Sequence, residues 1–310
     1  MQNDPASHLH PPVDPEHLEE TAAPVAEPQN VRIAFRVAYI GTRFSGSQLQ
    51  PEARTVEGVI IDAACRLGLF LDFREARFLS AGRTDAGVSA AGQVIAFSTP
   101  YPKRAVTTLN RMLPPDCWCT GWAVVHPDFH PRHHATSRTY RYSFPSEGLD
   151  CSAMADAASW FVGEHDFTRL SRLEAGRSPV RRIISASVFS EDDALIFEVK
   201  GESFLWNMVR GMATLLQAAG TGLIQPDQIR SILAEEGARI PAAPAAPLVL
   251  YDVDFALDFH QMEPSEKTRS WLALEEERII AEKKVLGWLC RDSLDIPRKK
   301  HTYNKLGHLL

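Results

Sequence analysis

Residues 31–67 read VRIAFRVAYIGTRFSGSQLQPEARTVEGVIIDAACRL, and two hydrophobic patterns within them decide the fold. Apolar residues occupy alternate positions from Val31 to Tyr39, which is typical of a β-strand with one buried face. A glycine-containing loop follows. From Val56 to Leu67 apolar residues recur at helical spacing, and Thr55 is placed to cap the helix. The stretch therefore predicts a strand, a loop and a helix in that order.

The next residues extend this beginning to a β-α-β-β-α-β unit, which the second half of the chain then repeats. Further strands are predicted near residues 76–80, 93–98 and 117–125, and a helix near 103–113 stops at Pro114-Pro115. The second half has a strand at 137–144, a helix at 152–162, a hairpin of 182–190 with 195–200, a long helix at 203–219, an extra helix at 226–236 and a last strand at 248–255.

This duplication predicts an α+β protein with two similar RRM- or ferredoxin-like halves. Their antiparallel sheets are expected to be covered by helices on one face, and a cleft between the halves is expected to bind a large ligand. The predicted domains are a disordered acidic tail (residues 1–30), an N-terminal α+β domain with the catalytic loop (31–132), a C-terminal α+β domain (133–257) and a helical, basic extension (258–310). For the extension, two alternatives stay open: a packing helix with a solvated tail, or a segment that contacts RNA.

The net charge of the chain does not exclude nucleic-acid binding. The net charge is −6, but six of the 39 acidic residues lie in residues 1–30, which contain no Lys or Arg, so the other 33 balance the 33 basic residues. A neutral body can still present a basic face to nucleic acid. The apolar runs are far shorter than a membrane span needs, and no signal peptide is recognisable. The five scattered cysteines suit reduced thiols, which favours a cytoplasmic location.

The densest cluster of chemically useful residues is Ser80-Ala-Gly-Arg-Thr-Asp-Ala-Gly-Val-Ser-Ala90. Small residues surround Arg83 and Asp85 between two predicted strands, and Gly82 and Gly87 allow a ligand to approach the backbone closely. The pattern indicates a turn that presents a carboxylate. A purely structural alternative is that Asp85 caps the turn.

This loop resembles the active-site signature of the TruA family of tRNA pseudouridine synthases. Other motifs resemble the family in the same order along the chain: residues 39–46, Gln50-Pro51, residues 55–58, residues 129–132, residues 138–142, residues 163–168, and Phe204 followed by Asn207-Met-Val-Arg210. The resemblance spans about residues 31–255. The family often has His where Ser89 stands and an aromatic residue where Ser47 stands.

The resemblance implies an isomerase that converts uridine to pseudouridine in the anticodon arm of tRNA, at positions 38, 39 or 40, and that works as a homodimer. It implies Asp85 as the nucleophile, Arg210 as its charge partner and Tyr140 as the residue that stacks on uracil and serves as base or relay. An enclosed carboxylate needs a nearby cation to stay ionised. The isomerisation requires no cofactor and no metal by its stoichiometry, and sequence leaves open whether Asp85 attacks the sugar or the base.

Substrate contacts are expected from further residues. Arg83 is expected to fill the space of the flipped nucleotide, while Val249 and Leu250 are expected to line the pocket. Phosphate contacts are expected from basic residues in the central segment and in the loop 165–182, chiefly Arg132, Arg138, Arg141, Arg169 and Arg181.

The sequence also admits three rival interpretations. Cys117-x-Cys119 with nearby histidines suggests zinc, but the sequence offers no second well-spaced pair. Asp85-Ala-Gly resembles the Asp-Thr/Ser-Gly of aspartic proteases, which need a second such motif. An RNA-binding protein with a duplicated RRM-like fold and no chemistry is the main rival, and it would need neither Asp85 nor Arg210.

Overall fold

A computed structural model describes residues 30–293, which form a mixed α+β fold. The strands are β1 (Val31–Tyr39), β2 (Leu79–Ser80), β3 (Ser89–Thr99), β4 (Cys117–Val124), β5 (Ser137–Pro145), β6 (Gly163–Asp166), β7 (Val180–Glu191), β8 (Ala194–Gly201), β9 (Leu248–Asp254) and β10 (His260–Gln261). The helices are α1 (Val56–Arg66), α2 (Pro102–Met112), α3 (Cys151–Ser159), α4 (Met208–Gly220), α5 (Gln228–Ala234) and α6 (Glu266–Ser293). The predicted tail at residues 1–29 and the basic run at 298–301 lie outside the described residues.

All these strands belong to one continuous sheet, in the order β10-β4-β1-β3-β9-β5-β8-β7-β6, with β2 paired to β3. The expectation of separate antiparallel sheets is therefore wrong. Strand β9 pairs antiparallel with β5 on one side and parallel with the first residues of β3 on the other, where Ser89 lies opposite Val249. Because the last strand of the second half hydrogen-bonds to the first half, the two sheets become one.

Two hydrophobic cores lie along this sheet. The first is built from β1, β3 and β4 with α1 and α2, and the second from β5 and β8 with α3 and α4. Leu250 of β9 belongs to the first core and Leu248 to the second, while Tyr140 packs against both. The junction between the cores therefore lies at β9 and β5, next to the start of β3.

The long helix of the second half begins later than its sequence pattern predicts. Residues 203–207 are not helical, because Asn207 has a positive φ of 67° and lies in the left-handed region, which stops the helix from extending backwards. Helix α4 starts at Met208 and is buried along almost its whole length. The non-helical segment 203–207 is therefore free to border the space in front of the sheet.

Helix α6 confirms that a helix follows residue 258, but only its first turns pack on the body. Thr268 is buried, Lys267 Nζ donates to the carbonyl of Leu113 at 2.7 Å, and Glu275 pairs with Arg43 at 2.6 Å. Later apolar side chains, including Ile279 and Leu286, are exposed. The described part of α6 thus combines a packed beginning with a solvated continuation.

Gly41, directly after β1, is expected to tolerate no side chain. A Cβ at this position would lie 2.0 Å from the carbonyl oxygen of Val88 and 2.1 Å from its carbon, both backbone atoms. We expect Gly41→Ala to displace the backbone at Val88 and to lower the free energy of unfolding by about 1–3 kcal/mol. Chemical denaturation measures the loss. Gly287→Ala is the control, because no atom lies within 4 Å of a Cβ there, and a destabilisation equal to that of Gly41→Ala would contradict the account.

Candidate active site

The loop between β2 and β3 (residues 81–88) is called the catalytic loop after the role that the sequence resemblance implies for it. Hydrogen bonds from two strands hold it in place. The amide of Ala81 donates to the carbonyl of Val94 at 2.7 Å, and the side chain of Gln93 donates to the carbonyl of Gly82 at 2.8 Å. The hydroxyls of Tyr39 and Thr84 share a hydrogen bond of 2.8 Å, and burial raises the pKa of Tyr39. The loop is therefore fixed by β1 and β3 before any ligand binds.

Both positions at which the sequence departs from the family pattern also brace this loop. Ser47 is buried, and its Oγ accepts a hydrogen bond from the amide of Thr84 at 2.8 Å. Ser89 Oγ accepts one from the amide of Gly41 at 3.0 Å. Sequence reasoning missed these supporting roles, because a serine in a loop carries no signal of its hydrogen-bond partner.

Asp85 projects from the catalytic loop towards α4, where Arg210 meets it. Arg210 Nη1 lies 2.7 Å from Asp85 Oδ2, with side-chain exposures of 20% and 27% respectively. The guanidinium also donates from Nε to the carbonyl of Ala243 at 2.6 Å and from Nη1 to Asn207 Oδ1 at 3.2 Å. These further contacts fix the orientation of Arg210, so the carboxylate faces a cation whose position is set by the second half.

Tyr140 of β5 lines the same cleft and contacts Phe204 edge to face at 5.1 Å between ring centroids. Burial raises the pKa of Tyr140 to about 12; the neighbouring Arg138 opposes this and the carboxylate of Asp85 adds to it. The hydroxyl is therefore protonated at neutral pH. It can donate a hydrogen bond or relay a proton, whereas the phenolate form that could act directly as a base is disfavoured.

The cleft has a volume of about 610 Å³, which lies in the range of ligand-binding sites. Leu248 and Leu250 of β9 form part of its apolar lining, together with Val88. The expectation for Val249 is wrong. Alternate residues of a strand face opposite sides, and Val249 lies opposite Arg141 of β5, away from the buried positions 248 and 250.

Three arginines line the mouth of the cleft, Arg83, Arg132 and Arg177, and Arg181 lies close enough to Arg132 and Arg177 to interact with them. Burial lowers the pKa of Arg132, with Arg177 and Arg83 adding to the effect, and burial with Arg177 and Arg132 lowers the pKa of Arg181. Glu174 pairs with Arg177 at 2.8 Å and with Arg83 at 3.8 Å. The mouth therefore concentrates positive charge around a single carboxylate.

Arg138 also borders the cleft, but its guanidinium donates hydrogen bonds to backbone carbonyls. It donates to the carbonyls of Glu202 at 2.8 Å, Arg132 at 2.6 Å and Ala81 at 3.3 Å. Burial lowers its pKa. Arg138 thus ties the start of the catalytic loop to the second half.

Two predicted phosphate contacts lie elsewhere. Arg141 Nε pairs with Glu198 at 2.7 Å and the guanidinium covers the ring of Tyr251 at 3.9 Å, on the face of β5 opposite to that of its neighbour Tyr140. Arg169 donates to the carbonyls of Ala238 and Ile232 and so fixes the loop after α5. Strand alternation turns Arg141 to that face, and a run of arginines in the sequence does not reveal which of them, like Arg169, hold the backbone.

The cysteine pair considered for zinc lies in β4, within the first hydrophobic core. Cys117 and Cys119 are buried, and burial raises the pKa of both thiols. Within residues 30–293, no group of three or more His, Cys, Asp and Glu side chains could hold a metal ion. No helix in this part of the chain is long and apolar enough to span a membrane.

Known proteins resemble this chain over most of its length. A family model described as tRNA pseudouridine synthase matches residues 157–256. A tRNA pseudouridine synthase A from Methanosphaerula palustris is 47% identical over 266 residues, which cover 86% of this chain and 95% of the relative. Proteins of the same name from Methanoculleus marisnigri and Thermococcus sibiricus are 50% and 42% identical, and cover 74% and 73% of this chain and 84% and 85% of their own lengths. The chain therefore belongs to the tRNA pseudouridine synthase A (TruA) family.

Proposed function

We propose that this chain isomerises uridine to pseudouridine in the anticodon arm of tRNA, at positions 38, 39 or 40, with Asp85 as the nucleophile. The observation that carries the proposal is the ion pair of 2.7 Å between Asp85 and Arg210, in a cleft that Tyr140 also lines. Family membership supports the reaction class, and the arginines at the mouth support an RNA substrate.

The reaction breaks the N1–C1′ bond, turns the uracil and forms a C5–C1′ bond. A proton then leaves C5, and N1 ends with a proton, so atoms and charge balance without a cofactor. Asp85 adds covalently to the nucleotide and leaves again, which a carboxylate can do. Arg210 keeps it ionised inside the cleft. Tyr140 packs against the uracil, and its neutral hydroxyl relays the proton during C5 deprotonation.

A uridine in a stem must leave the base stack before Asp85 can reach it, at a cost of a few kcal/mol. Contacts with the rest of the RNA must offset this cost. Arg83 stands beside Asp85 on the catalytic loop, where it can occupy the vacated space. Arg132 at the mouth is suited to a phosphate, as is Arg181, which lies near Arg132 and Arg177. These roles follow from charge and position.

We further propose that residues 31–132 and 133–257 are duplicated ferredoxin-like domains, with the active site at their junction. The two separate cores and the shared strand β9 support this division. By the same family relationship, the protein acts as a cytoplasmic homodimer on which one tRNA extends over both subunits. Light scattering of the full chain tests the dimer, and a monomer at concentrations that support activity would contradict it.

Incubation with tRNA that carries tritium at uracil C5 tests the function. The proposal expects release of tritium by the wild type and none by Asp85→Ala. The rival, an RNA-binding protein without chemistry, expects tight tRNA binding and no release by either protein. Release by both proteins would leave the activity in place and remove Asp85 as the nucleophile.

Glu174 is expected to restrain RNA binding, because it neutralises Arg177 and Arg83 in the free protein. We expect Glu174→Gln to bind tRNA about 3- to 5-fold more tightly at low salt, in keeping with the value of exposed ion pairs. The salt dependence should become steeper by about 0.7–0.9 per additional phosphate contact. Filter binding at several salt concentrations measures both. Glu198→Gln, which frees Arg141 on the other face of the sheet, is the matched control. Weaker binding by Glu174→Gln would contradict the account.

A further inference from the structure

Trp206 is a large aromatic side chain at the cleft that no step above uses. It lines the cleft and is 44% exposed. Burial of so large an apolar side chain would stabilise the fold, so its exposure costs stability. Two residues before it, Phe204 contacts Tyr140. In the non-helical segment 203–207 such residues are separated by about 7 Å, so Trp206 borders the space next to Tyr140.

The position of Trp206 is fixed by the backbone on both sides. The amide of Arg172 donates to the carbonyl of Trp206 at 2.8 Å, in an isolated antiparallel bridge. Directly after it, Asn207 has a left-handed backbone conformation and immediately precedes α4. The indole therefore stands on a rigid support, which lowers the entropy lost when a ligand packs against it.

Arg172 covers part of the indole. Its guanidinium carbon lies 4.4 Å from the ring centroid, a cation–π arrangement that holds both groups. The rest of the indole remains exposed beside the arginines of the mouth, Arg83, Arg132 and Arg177. Aromatic faces next to cationic side chains are the combination that binds unstacked nucleotides, since every base has a π-face and every nucleotide a phosphate. A protein partner of ordinary composition would not match this concentration of positive charge.

We propose that Trp206, backed by Arg172, is a stacking platform for a second base of the RNA, that of a nucleotide next to the target uridine. The inference rests on the proposed function, because it takes the space at Tyr140 to be filled by the target uracil. Trp206 then compensates for the neighbour stacking lost when the target base leaves the helix. Sequence-tolerant stacking of this kind would allow one cleft to serve different flanking bases.

The test compares Trp206→Ala and Trp206→Phe with Tyr251→Ala. Tyr251 is also 44% exposed and also lies against an arginine, Arg141 at 3.9 Å, but on the other face of the sheet. We expect Trp206→Ala to raise KM and Kd for tRNA about 10-fold with a smaller change in kcat. Trp206→Phe should recover most of the loss, and Tyr251→Ala should behave as the wild type. Thermal unfolding identifies any variant that fails to fold.

A second experiment uses tRNA in which the nucleotide on one side or the other of the target uridine lacks its base. At one of these two positions the abasic nucleotide should weaken the binding of tRNA by the wild type. It should leave binding by the Trp206→Ala variant nearly unchanged, because the missing base and the missing indole belong to the same contact. Equal losses in both proteins at both positions would overturn the platform, as would unchanged tRNA binding by Trp206→Ala. A wild type that binds tRNA without releasing tritium would instead remove the proposed function. Quenching of the fluorescence of Trp206 by bound tRNA, measured against Trp206→Phe, would still report the stacking.

Discussion

Asp85→Asn is expected to lower kcat for uridine isomerisation by at least about 10⁴-fold, the scale of loss when a nucleophile is removed. The substitution replaces one carboxylate oxygen with an amide nitrogen, so the side chain still fits between the catalytic loop and Arg210. It cannot add to the nucleotide as a carboxylate does. The measurement is single-turnover tritium release at saturating enzyme, which separates chemistry from binding.

Binding and stability distinguish this loss from misfolding. Asp85→Asn should bind tRNA with nearly wild-type affinity, because the arginines at the mouth are untouched. Asp116→Asn is the matched control, since Asp116 also pairs with an arginine, Arg54 at 2.8 Å, outside the cleft. It should keep kcat close to that of the wild type. A kcat for Asp85→Asn within 10-fold of the wild type would exclude Asp85 as the nucleophile.

Arg210→Met is expected to produce the second-largest effect, a fall of about 10²- to 10³-fold in kcat, comparable with the loss of one preorganised donor. Methionine keeps much of the length of the side chain but removes the charge and all three donated hydrogen bonds, to Asp85, Asn207 and Ala243. The carboxylate then loses its partner in a partly buried site, where an unpaired charge is costly. Tritium release at saturating tRNA measures the effect.

Arg210→Lys separates charge from geometry. A lysine restores the positive charge but cannot reproduce the planar fork that joins Asp85 and the Ala243 carbonyl, so only part of the activity should return. Arg36→Met breaks another ion pair that is distant in sequence, between Arg36 of β1 and Asp252 of β9 at 2.6 Å, and serves as the control for lost ion pairs away from the catalytic loop. If Arg210→Met and Arg36→Met reduced kcat equally, the contact with Asp85 would have no special role.

The periodicity of the sequence predicted the helices and most of the strands, because local hydrophobic patterns decide which face of an element is buried. It predicted the hairpin of 182–190 with 195–200, which forms β7 and β8, and Asp192 in the turn between them has a φ of 49°. Strands β6 and β10 have four and two residues, too few to show alternation. The later start of the long helix, at Met208 instead of residue 203, depends on the left-handed backbone of Asn207, which composition does not reveal.

The candidate site was harder to predict than the fold, because local hydrophobic patterns do not show which distant residues meet. Asp85 and Arg210 are 125 residues apart, and only the family resemblance suggested their pairing. Tyr140 and Leu250 line the cleft, and strand alternation turns their neighbours Arg141 and Val249 to the other face of the sheet. The sequence pattern does not show which of two neighbouring residues faces the cleft. Trp206 and Glu174 were missed because their importance depends on the exposed surface of the folded cleft.

The most direct test is to map pseudouridine, base by base, in an unmodified tRNA transcript incubated with purified wild type or with Asp85→Ala. We predict pseudouridine at position 38, 39 or 40 with the wild type, and unchanged uridine at all three with the variant, although both proteins bind the transcript. Pseudouridine formed by Asp85→Ala at these positions, or a wild type that binds the tRNA and leaves every uridine unchanged, would contradict the proposed function.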